Sequence, residues 1–281
     1  MKYSLHDLLD NLDQDSLALE SDLIQYFEIL DTPSPGELDQ WALDILKFGR
    51  SILAAGSRKS LTFLLEQGWN PSFTTIIKAS NIQNEWFDLE LELIRKLNYT
   101  PGILFYRRAT ELGHKPLFNF KRGREWQNRS WSAIRNTVDH LAAGLIDLMG
   151  STNPRMAIIS ENRFEVACTD ITCLTYGFVN VPIQPAAPPA QIEYILQHAE
   201  VEGVFVSDSQ HLRTIESIMP NLPLLKHIIS FNDVATSNPM VKSYKRLLEE
   251  GGSGETLNWL EGIRLSVPLD RIATIMYTSG T

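Results

Sequence analysis

Met156-Ala157-Ile158-Ile159-Ser160 and Phe178-Val179-Asn180-Val181-Pro182-Ile183 are the two runs on which the fold turns. Both are largely apolar rather than alternating with polar residues, the pattern of strands buried on two faces. Between them, Asn162 and Glu165 stand where a reciprocal capping box would start a helix. That predicted helix runs to Tyr176-Gly177, where glycine supplies a left-handed stop. Strand, helix, strand over 28 residues is one βαβ unit, and right-handed crossovers make its strands parallel.

Working outward, the alternation continues. Pro188-Pro189 opens a helix through Ile195 and Leu196, residues 203–206 form a third strand, and 209–218 form a helix. Residues 226–231 form a fourth strand, 241–250 a short helix, and Gly251-Gly252-Ser253-Gly254 a flexible linker. Residues 271–278 form a fifth strand, apolar enough to be central. The predicted class is α/β, with a doubly wound, mainly parallel sheet whose ligands lie at the carboxyl ends of the strands. Upstream, a helix over 131–149 ends at Gly150, two strands flank Arg122-Gly123, and residues 102–112 suit a short helix.

The texture before residue 98 differs. Ser34-Pro35-Gly36-Glu37 is a helix start, and Leu38, Trp41, Ala42, Ile45 and Leu46 recur at helical spacing. Another apolar helical run, 61–65, is closed by Gly68 and the turn Asn70-Pro71, and a last helix spans about 86–97 with Glu85, Asp88, Glu90 and Glu92 near its exposed side. The chain therefore reads as a small all-α domain, 1–97, followed by the α/β part, 98–281. Leu64-Leu65-Glu66-Gln67-Gly68 has the look of one ankyrin phrase, but a stable array needs about three repeats. Charge divides the same way: residues 1–98 hold 8 Lys or Arg against 16 Asp or Glu, while 99–281 hold 17 against 18. An acidic front end repels nucleic-acid phosphates and anionic lipid, so neither is an expected partner for it.

The amino terminus lacks a basic stretch followed by an apolar run, and no segment reaches the roughly 18–20 apolar residues that span a bilayer. A cytoplasmic location is the expectation. Cys168 and Cys173 lie five apart in a helical pattern, about 140° around its axis, and read as two buried thiols. His114, His140, His198, His211 and His227 show no metal-ligand spacing, and His198 reads as a polar surface residue. Ser253 lacks the second glycine of a hydrolase elbow, and Lys121–Arg124 reads as a solvated hairpin tip.

The fifth strand runs into Thr278-Ser279-Gly280-Thr281. Hydroxyls around a glycine just past a parallel strand suit phosphate, because glycine lets backbone N–H groups turn toward an anion. Taken alone, the four residues are a weak signal and fit an ordinary turn better than a phosphate loop. Neither a Walker loop nor Gly-x-Gly-x-x-Gly occurs in the chain.

Residues 270–281, Asp-Arg-Ile-Ala-Thr-Ile-Met-Tyr-Thr-Ser-Gly-Thr, resemble the first half of the phosphate loop of the AMP-forming acyl-activating superfamily: acyl-CoA synthetases, peptide-synthetase adenylation domains and luciferases. That loop usually continues Thr-Gly-x-Pro-Lys-Gly. Segments 131–144, 156–165, 176–185, 192–208 and 222–231 resemble the same superfamily in order and spacing, and residues 121–131 with 222–231 are most similar to bacterial long-chain fatty acid–CoA ligases. Gln184 stands where the family often has Tyr, and Ser130 where it has Thr.

The resemblance implies ATP-dependent activation of a carboxylic acid to an acyl-adenylate and then a coenzyme A thioester. Thr278, Ser279, Gly280 and Thr281 would hold the β- and γ-phosphates, with Mg²⁺ and coenzyme A as cofactors. It implies a fatty acid or other carboxylic acid as substrate, allows peripheral membrane contact of the full-length enzyme, and places the remaining catalytic groups beyond Thr281, so the fragment by itself is expected to be inactive. Two alternatives stay open: an adenylation domain loading a carrier protein, and a non-enzymatic helical binding module fused to a remnant AMP-binding domain. The acid, the thiol acceptor, the role of residues 1–97 and the oligomeric state are left open.

Overall fold

A computed structural model describes Phe27, residues 33–253 and residues 255–278. The chain divides into two compact units, Met1–Tyr99 and Thr100–Thr281.

The described part of the first unit is helical: α1 (Leu38–Ala55), α2 (Arg58–Gln67), α3 (Pro71–Ala79) and α4 (Gln83–Leu97). The Ser34 N–H donates to Glu37 Oε2 at 3.0 Å, but α1 begins only at Leu38 with Glu37 in the cap position, so the expected capping box does not open the helix. Asn70-Pro71 does more than turn the chain. The Asn70 side chain accepts from the N–H groups of Ser72 and Phe73, Pro71 takes the first helical position, and α3 follows. Ile45, Phe48, Ile52, Phe73 and Leu93 are fully buried, and Phe73 meets the rings of Trp41 and Trp86 edge-on. Glu90 is half-buried rather than solvated: it accepts from Trp86 Nε1 at 2.7 Å, and burial raises its carboxyl above the ordinary 4.5.

The second unit opens with α5 (Pro101–Glu111), capped by Thr100, and the antiparallel hairpin β1 (Pro116–Arg122) and β2 (Glu125–Ser130). Ser130 then caps α6 (Trp131–Met149), which stops at Gly150 with φ 61°. There follow β3 (Arg155–Ile159), α7 (Phe164–Tyr176), β4 (Val179–Ile183), α8 (Pro189–His198), β5 (Gly203–Val206), α9 (Ser209–Ile218), β6 (His227–Ser230), β7 (Val241–Ser243), α10 (Tyr244–Ser253) and α11 (Leu260–Ser266). The sheet order is β4-β3-β5-β6-β7 and every pairing is parallel. Successive strand residues feed opposite layers: Met156, Ile158 and Phe205 pack with α6, α7 and α10, whereas Ala157, Ile159, Val204 and Val206 pack with α8 and α9. This is the doubly wound α/β sheet that the apolar strands predict.

Four local expectations change. Asn162 does not cap α7: Arg163 holds that position without a side-chain cap, and Glu165 pairs with Arg163 Nε at 2.8 Å. Residues 241–243 are a strand, so the following helix begins at Tyr244. That helix runs through the expected linker to Ser253, because Gly251 is buried against the backbone of α6. Residues 271–278 form no ladder strand; they touch the sheet through a single parallel bridge, Thr274 beside Asn180, at the β4 edge. Cys168 and Cys173 are buried, as expected, and burial pushes the Cys168 thiol up to about 12 and that of Cys173 higher still.

One polar network crosses the helical layer. Tyr176 Oη donates to Asp139 Oδ1 at 2.6 Å and lies 2.6 Å from Tyr106 Oη, with Arg264 4.0 Å from the Tyr106 ring. Burial raises the Asp139 carboxyl above its ordinary 3.8, outweighing the Tyr176 hydrogen bond. A raised native value means the folded state holds its proton more tightly, so stability falls as pH rises from about 3.8 through the raised value. Asp139→Asn removes that slope. The stability of wild type relative to the variant, measured by urea unfolding from pH 3.5 to 7, is expected to decline with pH. A difference that is flat or rises with pH contradicts this.

Candidate functional site at the carboxyl edge of the sheet

Parallel strands with helices on both faces leave their carboxyl ends open, and ligands of such folds bind there. Here that edge is formed by the loops after β3, β4, β5 and β6, and polar side chains tie them together. Arg163 Nη2 donates to Asn232 Oδ1 at 3.0 Å while Nε holds Glu165, joining the loop after β3 to the loop after β6. Ser207 is fully buried, with Oγ 2.9 Å from His211 Nδ1; His211 Nε2 lies 3.0 Å from the Pro185 carbonyl, fixing the loop after β4 to the start of α9. Asp208 caps α9 by accepting from the N–H groups of Gln210 and His211, and the His211 backbone bond holds its carboxyl below the ordinary 3.8.

The terminal segment is aimed at this edge. The Asn180 N–H donates to Ala273 O and the Ile275 N–H donates to Asn180 O, both at 2.9 Å, so the segment runs parallel to β4. Asn180 is itself buried, and its Nδ2 donates to Asp170 at 2.7 Å. Ile275 and Tyr277 pack on the α8/α9 side of the sheet, while Ile272 and Met276 are exposed. Tyr277 Oη lies 2.7 Å from His198 Nδ1, with the Tyr194 ring crossing it edge-on. At the other end, Arg271 Nη2 donates to Asn153 Oδ1. Counting four residues from each bridge partner puts Thr278 level with Gln184, just past the end of β4.

Thr278 is thus exposed at the carboxyl edge; Ser279, Gly280 and Thr281 lie outside the described residues. His198 is exposed, as expected of a polar surface residue, and it also lies within hydrogen-bond distance of Tyr277 in the segment that leads to Thr278. The sequence could not show this, because residues 198 and 277 are remote along the chain. Arg163, Ser207 and Asn232 went unnoticed for the same reason, and His211 was weighed only as a metal ligand: their partners lie in other stretches and match no motif. A cavity of about 230 Å³ lined by Leu196, Val201 and residues 221–225 lies at the amino-terminal ends of β5 and β6, the opposite side from the loops described here.

The strand order is that of a doubly wound α/β sheet with its carboxyl edge open, and a family comparison narrows the class. The family model "AMP-binding enzyme" matches residues 105–281, well over half of the chain, and the chain belongs to that family. It is 27% identical over 174 residues to long chain acyl-CoA synthetase 3 of Arabidopsis thaliana, covering 60% of this chain and 26% of that protein. It is 28% identical over 177 residues to the peroxisomal acyl-CoA ligase 891 of Penicillium brevicompactum, covering 56% of this chain and 25% of that one. Among solved structures, the anthranilate CoA ligase AuaEII in complex with anthranoyl-AMP matches at TM-score 0.49 and 18% identity, over 65% of this chain and 32% of that one. The chain spans about a quarter of the length of those curated relatives. No helix among the described residues is long and apolar enough to cross a membrane.

Proposed function

We propose that this chain is the amino-terminal part of an ATP-dependent acid–thiol ligase of the long-chain fatty acid–CoA ligase type. The observation that carries the reading is the terminal segment, held beside β4 and delivering Thr278 to the carboxyl edge inside the region matched by the AMP-binding family. In this reading Thr278, Ser279, Gly280 and Thr281 donate N–H and O–H hydrogen bonds to the β- and γ-phosphates of ATP. A carboxylate oxygen of the acid attacks the α-phosphorus, the bond to the bridging oxygen breaks, and pyrophosphate leaves. The sulfur of a thiol, coenzyme A in this reading, then attacks the acyl carbon and displaces AMP.

Catalysis of this kind rests on positioning and neutralisation of charge. The cross-tied loops and the His198–Tyr277 contact supply the positioning. Mg²⁺ would supply neutralisation. Its ligands are assigned, from the superfamily resemblance, to the part of the enzyme beyond residue 281. We assign residues 1–97 to a separate acidic helical domain, residues 98–281 to the first part of the AMP-binding domain, and the enzyme to the cytoplasm.

The test is ATP–pyrophosphate exchange with palmitate. The 281-residue chain is expected to give no signal, and the protein read from the complete gene a clear one, with palmitoyl-CoA formed when coenzyme A is added. Thr278→Ala in the complete protein is expected to lower kcat/KM for ATP about 10- to 100-fold, the worth of one hydrogen bond to a charged group. Exchange by the 281-residue chain refutes the assignment of essential groups elsewhere. Transfer only to a carrier protein selects the adenylation-domain reading, and no exchange by the complete protein selects a binding module.

A further inference from the structure

The residues that lead to Thr278 owe little to the sheet. Among the described residues their strand pairing is the single bridge at Thr274, and no ladder continues past the Ile275 N–H. Ile272 and Met276 face outward, 61% and 75% exposed. The position of the segment beyond the bridge therefore depends on side chains, and the Tyr277 side chain reaches α8. The last turn of that helix is itself fixed. Arg155, at the start of β3, donates from Nη1 to the Ala199 carbonyl at 2.9 Å and pairs with Glu200 Oε2 at 2.8 Å. Ile192, Ile195 and Leu196 of α8 are buried in the layer that covers this face of the sheet.

On this support stands His198, its ring stacked on that of Tyr194 one turn earlier at 5.5 Å. Rings one turn apart on a helix can stack for their own sake. What such a stack leaves unexplained is the aim of His198 Nδ1, 2.7 Å from Tyr277 Oη and 79 residues away in sequence. Tyr277 also meets both rings edge-on, each at 83°. The core does not require the contact, since His198 is exposed and Tyr194 is 56% exposed. A hydrogen bond that packing does not need, one residue before Thr278, acts on the loop that follows.

We infer that His198 is a positioning residue: it holds Tyr277, and through it sets the Thr278 loop in the orientation that ATP requires. The support runs from β3 through Arg155 and the end of α8 to His198, then across to Tyr277. Arg271, bonded to Asn153, anchors the segment on the other side of the bridge. This deepens the proposed acid activation and rests on that reading. One neutral hydrogen bond corresponds to about 3- to 10-fold in an equilibrium. A group that acts on ATP alike before and during the reaction moves KM and leaves kcat in place.

The test has two arms. In the 281-residue chain, amide exchange at Ile275, whose N–H donates to Asn180 O, is expected to be about 3- to 10-fold faster in His198→Ala and in Tyr277→Phe. His198→Asn puts an amide where Nδ1 stands and is expected to restore the wild-type rate, whereas His198→Gln, which reaches the Nε2 position instead, is not. Circular dichroism and urea unfolding are expected to be unchanged, because His198 is exposed. In the complete protein, His198→Ala and Tyr277→Phe are expected to raise KM for ATP about 3- to 10-fold in pyrophosphate exchange with palmitate. The kcat and the KM for palmitate are expected to stay within about twofold of wild type, with His198→Asn again restoring the ATP value. Amide exchange at the wild-type rate in every variant overturns the inference. So does faster exchange with an unchanged KM for ATP, which makes the contact a tether of the segment alone, and so does a fall in kcat by itself. Wild type without pyrophosphate exchange overturns the proposed function and the positioning role with it, while amide exchange still decides whether His198 holds the segment.

Discussion

Gly251→Ala is expected to cost about 3 kcal/mol of stability, the upper part of the range for overpacking a close contact. A Cβ at this position would stand 2.0 Å from the His140 carbonyl oxygen and 2.6 Å from the Gly144 nitrogen, both backbone atoms of α6. The approach is reciprocal, since a Cβ on Gly144 would stand 2.4 Å from the carbonyl oxygen of Leu247 in α10. Neither helix can yield without moving the layer that covers Met156, Ile158 and Phe205. Alanine also favours helix over glycine by about 1 kcal/mol, which offsets only part of that cost. Gly262→Ala in α11 separates the two effects, because a Cβ there meets nothing within 4 Å. Urea unfolding is expected to show opposite signs for the same substitution, with Gly262→Ala gaining up to about 1 kcal/mol. Loss of stability at both positions would mean that propensity and packing have been apportioned wrongly.

Phe205→Ala is the second large effect, about 3–5 kcal/mol. Phe205 sits in the middle strand of the five, β5, and is fully buried. It stacks on Phe231 at 5.4 Å and meets the Tyr244 ring edge-on at 6.4 Å, so it bridges β5, the end of β6 and the start of α10. Truncation leaves a void that these rings cannot fill without breaking that alignment. Phe205→Leu keeps more of the volume and is expected to cost under half as much. Equal losses for the two variants, measured by urea unfolding, would indicate that the aromatic cluster rather than filled space holds the layer. Because Phe231 also carries the Arg163 guanidinium at 5.3 Å, the alanine variant is expected to loosen the polar ties at the carboxyl edge as well.

Much of the α/β unit was legible in the sequence because its signals are local. Continuous apolar runs mark strands buried on both faces, and Gly150 and Gly177 announce helix stops, acting within a few residues of themselves. The candidate phosphate loop was legible for a different reason. It stands in an ordered series of segments resembling one superfamily, and the family match over residues 105–281 bears out that resemblance.

What the tertiary structure alone decided are the pairings. Val241–Ser243 is too short to announce itself, and it becomes a strand only because β6 offers it a ladder. Gly251 and Gly252 read as a linker on composition, yet a helix runs through them because α6 comes too close for any side chain at Gly251. The run 271–278 reads as a central strand, whereas its contacts are those of an edge, one bridge to Asn180 and a hydroxyl held by His198. Apolar pattern, capping and turn chemistry are properties of neighbours in sequence, so the sequence determined most of the strands and helices of the α/β unit and what family they compose. Which strand lies beside which, and which loop is tied to which, depends on contacts between residues tens of positions apart, and those exist only once the chain has folded.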